Sequence, residues 1–141
     1  MSSSTVQGNI LITRSVEEVW DALVNPSKVI RYLGSTLKTD WKAGSAITWE
    51  GDMHGTPFVN KGVVLTYHPY TLLKYSYWSG MGGDADAPEN YSEVTYQLTE
   101  QEGGVYLNYT RENIPTIIEQ QIFQTHINSM LESIKKVIET D

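Results

Sequence analysis

The sequence predicts an α+β domain in which an antiparallel strand meander lies across one long C-terminal helix. Three observations carry this. An apolar strand and two short helices come first, hairpin-linked strands fill the middle, and the longest helical periodicity comes last. A length of 141 residues suits one domain with its own core, with Met1–Ser4 a frayed end.

Residues 5–13 alternate and end apolar (Val6, Ile10, Leu11, Ile12), as a first strand does. Val16, Val19, Trp20, Leu23 and Val24 then recur at helical spacing. Ser15 and Glu18 have the spacing of a capping box. Asn25-Pro26 stops this helix and starts a second, which carries Val29, Ile30 and Leu33 inward and ends at Gly34. Short strands are expected at 35–38 and 46–50, the latter with Ile47 and Trp49 on one face, separated by a turn at Trp41-Lys-Ala-Gly44.

A glycine-rich connector at 51–55 leads into a long strand at 56–67, with Val64 inward. After a turn at His68-Pro69, the strand 72–78 places Leu73, Tyr75 and Tyr77 together. The stretch 79–90 reads as a long exposed loop. Strands at 91–100 (Val94, Tyr96, Leu98) and 105–112 (Leu107, Tyr109) flank the tight turn Glu102-Gly-Gly104. The final helix spans 115–140, opens on Thr116 and Glu119, and is expected to bury Ile118, Ile122, Ile127, Met130, Leu131, Ile134 and Ile138. A helix of about 24 residues is roughly 36 Å long, too long to be covered by two short helices, so it must cross the sheet.

A net charge of −7 with scattered Lys and Arg argues against nucleic-acid binding. With no cysteine the chain holds neither disulfide nor thiolate metal site, which fits a cytoplasmic location. There is no export leader and no apolar run long enough to span a membrane. His54, His68 and His126 lie far apart, without ligand spacing, so no metal or other cofactor is expected. No nucleophile elbow or phosphate loop is present.

The order of motifs resembles that of the START-like, or SRPBCC, superfamily. More narrowly, it resembles homologues of the C-terminal domain of the heat-shock protein 90 ATPase activator. The motifs that carry the resemblance are Ser15-Val-Glu-Glu-Val-Trp-Asp-Ala-Leu23 with Asn25-Pro26, Trp41-Lys-Ala-Gly44, Gly62-Val-Val64, His68-Pro69, Leu73-Lys-Tyr75-Ser-Tyr77, Val94-Thr-Tyr-Gln-Leu98 and Gly103-Gly-Val-Tyr-Leu107. The match runs from about Ile10 to Ile138. It departs at His126-Ile127, where members often carry Gly-Trp, and at His68, where they often carry Asp. The resemblance implies a single helix-grip domain: a curved antiparallel sheet of about six or seven strands wrapped on the C-terminal helix, with two short helices closing one end.

Three functional readings follow. In the first, the gap between sheet and helix binds a small apolar or amphipathic molecule, with Trp49, Val64, Tyr75, Tyr77, Tyr96, Tyr109, Ile118, Ile122 and His126 around it. Core packing is the commoner role for any one of these. In the second, the domain is a protein-interaction module that acts on a chaperone ATPase, as the resemblance implies. In the third it is a polyketide cyclase-like enzyme with His126 as general acid, assisted by Tyr109 or Arg111. The first reading, a non-enzymatic binding domain that is a monomer or homodimer, is the one adopted from sequence. Fold does not decide between such functions.

Overall fold

The computed structural model describes residues 4–79, 85–114 and 116–140. Seven strands form one antiparallel sheet in the order β1-β7-β6-β5-β4-β3-β2. In chain order these are β1 (Ser4–Ile12), α1 (Val16–Val24), α2 (Pro26–Leu33), β2 (Thr36–Lys38), β3 (Ala46–Met53), β4 (Thr56–His68), β5 (Leu72–Ser79), β6 (Ser92–Gln101), β7 (Gly104–Ile114) and α3 (Ile117–Glu139). The sheet curves around α3, giving the helix-grip architecture expected from the sequence.

Local chemistry sets the helix ends. Ser15 Oγ accepts from the Glu18 amide at 3.2 Å, and the Glu18 carboxylate accepts from the Ser15 amide at 3.3 Å. Asn25 caps α2 through the Ser27 amide, Pro26 takes the first turn, and Gly34 ends it at φ 75°. The junction leaves a problem. The Ala22 carbonyl would accept from residue 26, but Pro26 has no N–H. The Tyr32 hydroxyl donates to it instead, at 2.9 Å, and Trp41 Nε1 donates to the Val24 carbonyl at 3.1 Å.

Two expectations at the strand level are corrected. Ser4, read as frayed, pairs with Ile114, while Met1–Ser3 lie outside the described residues. The 51–55 connector is mostly strand: β3 runs to Met53, and only His54 (φ 53°) and Gly55 (φ 88°) turn. Two successive positive φ values make the primed turn that matches strand twist. A register shift between Val64 and Thr66 then bends β4, as a bulge does.

The core lies between the concave face and the second half of α3. Ile127, Leu131, Ile134, Val137 and Ile138 are buried. At Gly8 on β1, an added Cβ would come 3.1 Å from Leu131 Cδ1, so the missing side chain lets the helix sit close. The end of α3 is tied to the β1–α1 junction: Glu139 accepts from the Thr13 amide at 2.9 Å and hydroxyl at 3.0 Å, and Lys135 donates to both Leu11 O and Glu139. Trp20 packs edge-on against Tyr67 and Tyr70 at the β4–β5 turn, with centroids 5.5 and 6.3 Å apart.

Candidate functional site

Period-two alternation places aromatic rings from four strands on the concave face. Trp49 on β3 meets Tyr75 and Tyr77 on β5 at 5.0 Å each. Tyr75 reaches Tyr96 on β6 at 6.4 Å, and Tyr96 meets Tyr109 on β7 at 5.2 Å, the last two being direct register partners. Edge-to-face and tilted contacts of this kind let neighbouring rings fill a curved surface.

These five rings line a partly open cavity of about 490 Å³. Val94 and Met130 add apolar wall, Leu33 and Phe58 also line it, and Ser35, Asn60, Ser79 and Arg111 bring polar atoms. Burial raises the hydroxyl pKa of Tyr75, Tyr77, Tyr96 and Tyr109 above the ordinary tyrosine value, desolvation of the phenolate being the largest cause for each. All four therefore stay protonated at neutral pH and can donate. Asn60 Nδ2 donates to the Tyr77 hydroxyl at 2.7 Å, leaving the buried Asn60 Oδ1 with no partner.

Among the described residues Arg111 is the one charged member of the wall. Its guanidinium lies over Tyr77, 4.8 Å from the ring centroid, and over Phe123 of α3 at 3.7 Å, and its Nε donates to Ser92 Oγ at 2.9 Å. Stacking on ring faces suits a planar cation held in a part-buried position.

The cavity thus contains Trp49, Tyr75, Tyr77, Tyr96 and Tyr109 from the sequence expectation, but not the other four residues. Val64 is fully buried opposite Tyr75 in the core and is not part of the wall. Ile118 and Ile122 are 66% and 48% exposed. His126 is exposed too, and its Nδ1 lies 2.8 Å from the Ile122 carbonyl, one turn back. That oxygen only accepts, so Nδ1 carries the proton. The physical reason is common to all three: α3 rests on β1 through its second half, and this part of its first half faces away from the sheet. A cyclase mechanism with His126 as acid is thereby overturned.

Asn60, Phe58 and Phe123 were missed in the sequence. The long strand 56–67 gave only Val64 as inward, and Phe123 lies between the two exposed isoleucine positions and Ile127. Among the described residues no group of His, Asp and Glu could hold a metal ion, and no helix is long and apolar enough to cross a membrane.

The curved sheet gripping a long helix defines the START-like, or SRPBCC, class. Residues 13–139 match the family described as Activator of Hsp90 ATPase homolog 1-like protein, and the chain belongs to that family. It is similar to the solution structure of ChR145 from Cytophaga hutchinsonii, at 38% identity and TM-score 0.85, covering 99% of this chain and 97% of that one. Protein MLL2253 from Mesorhizobium loti shares the fold at 19% identity and TM-score 0.81, with 96% and 97% covered. So does the Aha1 dimer from Colwellia psychrerythraea, at 19% identity and TM-score 0.74, with 96% of each chain covered. No curated protein matches the sequence.

Proposed function

We propose that the domain binds a small amphipathic molecule in the cavity between the sheet and α3. The carrying observation is the row of protonated tyrosines around a space of about 490 Å³, within the roughly 300–1,000 Å³ usual for ligand pockets. The rings supply apolar surface, and the hydroxyls with Asn60 supply the few oriented polar groups that select a ligand. The cysteine-free composition supports a reducing, cytoplasmic setting.

The test uses a neutral apolar dye, N-phenyl-1-naphthylamine. Saturable fluorescence enhancement is expected, weakened several-fold in Val94→Phe, which fills part of the wall. A cooperative melt must confirm that the variant is folded. No enhancement with the unaltered protein would overturn the reading.

A second reading, action on a chaperone ATPase, draws on the family description and on one surface feature. Ile117, Ile118 and Ile122 form an exposed apolar row on the first half of α3, as interaction surfaces often do. It is checked by the ATPase rate of the cognate chaperone with unaltered protein and with Ile118→Ser. Equal rates with and without saturating protein exclude it.

A further inference from the structure

We infer that the cavity selects an amphipathic carboxylate, with Arg111 as the group that holds the anion. This rests on the reading of the cavity as a ligand site and adds the class of ligand. Among the described residues the wall contains one charged side chain, a cation, in a chain whose net charge is −7. Among the described residues, no carboxylate forms an ion pair with Arg111. Its partners among the described residues are neutral: Ser92 Oγ and the faces of Tyr77 and Phe123.

A guanidinium offers five N–H donors in a fixed planar fork. Nε uses one on Ser92. Donors remain, and the planar fork matches a carboxylate in two-point geometry. The two aromatic faces fix the plane of the fork before any ligand arrives, so little ordering is left for binding to impose. A part-buried cation with neutral neighbours is an electrostatically incomplete arrangement, and an anion in the cavity completes it.

Asn60 bonds the hydroxyl of the same tyrosine. Its Nδ2 donates to the Tyr77 hydroxyl, while Oδ1 is buried without a partner. If the amide is turned over, the tyrosine donates to Oδ1 and Nδ2 becomes the free atom, so either orientation leaves one amide group for a ligand. The expected occupant therefore has an apolar body against Trp49 and the tyrosines, a carboxylate at Arg111 and a second polar group near Asn60.

The experiment compares two probes with the same ring system, 2-naphthoate and 2-naphthalenemethanol, by titration of the full chain at neutral pH. The carboxylate is expected to bind about tenfold more tightly or better, the scale of a hydrogen bond to a charged group. Arg111→Gln is expected to remove that preference, so that the two probes bind alike whatever their common affinity becomes. Arg111→Lys, which keeps the charge but not the fork, should retain only part of it. Near-ultraviolet circular dichroism shows whether each variant keeps the aromatic packing, and the comparison within unaltered protein needs no variant. Equal affinity for both probes overturns the anion proposal and leaves the cavity reading standing. Binding of neither overturns both. Retention of the full preference in Arg111→Gln removes Arg111 from the role.

Discussion

A Cβ added at Gly62 would fall inside the van der Waals envelope of the Ser76 carbonyl oxygen, a backbone atom that cannot swing aside. At Gly8 the nearest atom is instead the end of the flexible Leu131 side chain, 3.1 Å away. Gly62→Ala is therefore expected to cost about 3 kcal/mol or more, because the β4–β5 pairing must open. Gly8→Ala should fall within about 1 kcal/mol of neutral, the lost chain entropy of glycine offsetting a small repacking cost. Urea melts of the two variants separate these outcomes. Tyr32 is a second test at this scale. Its hydroxyl serves the carbonyl that Pro26 leaves without a donor, so Tyr32→Phe is expected to lose roughly 1–2 kcal/mol. A loss under about 0.3 kcal/mol would mean that water replaces the hydroxyl without penalty.

Helix α3 behaves as two segments with different tasks. The second buries Ile127, Leu131 and Ile134 against the sheet, while the first exposes Ile118 and Ile122. Ile134→Ala should cost about 2–5 kcal/mol, and Ile118→Ala should stay within about 0.5 kcal/mol of neutral. Chemical denaturation of the pair checks the division. The same segment also sets an acid limit. Hydrogen bonds from the Thr13 amide and from Lys135 lower the Glu139 pKa from 4.5 to about 2. A lowered folded-state pKa means that stability is present above the unfolded value and is lost as pH falls through the folded one. Acid melts should therefore show a decline between about pH 4.5 and 2 that is shallower in Glu139→Gln. The periodicity of α3 made the helix legible in the sequence, as the capping residues did its start. Which part of its stripe would be covered was not legible, because Ile118 and Ile134 look alike until the lean of the helix onto β1 is known. The same limit applies to the site. Trp49, Tyr75, Tyr77, Tyr96 and Tyr109 could be assigned to one face by alternation alone, and Phe58 and Asn60 share the parity of Val64 ahead of the register shift. Which members of that face surround the gap depends on the curvature of the sheet.

For the molecule as a whole, a cavity ligand that binds only the folded chain stabilises it by mass action. At a concentration a hundredfold above Kd the gain is about 2.7 kcal/mol, expected to raise Tm by roughly 8–12 °C in a domain of this size. A thermal melt with saturating N-phenyl-1-naphthylamine measures it, and an unchanged Tm would place the dye elsewhere than on the native fold. The sheet order has another consequence. Among the described residues β1 pairs with β7 alone, and the Thr13–Glu139 bond closes across 126 positions of sequence. On the ribosome, β1 is therefore made before every other strand yet waits for its partner until nearly all of the sheet has emerged. Contacts so distant in sequence form slowly, and an unpaired strand edge invites association with other chains. Until α3 leaves the exit tunnel, the tyrosine-lined concave face also has no cover. The newborn chain passes through a stage in which its aromatic concave face lies open to other chains, and the arrival of the last helix ends that stage.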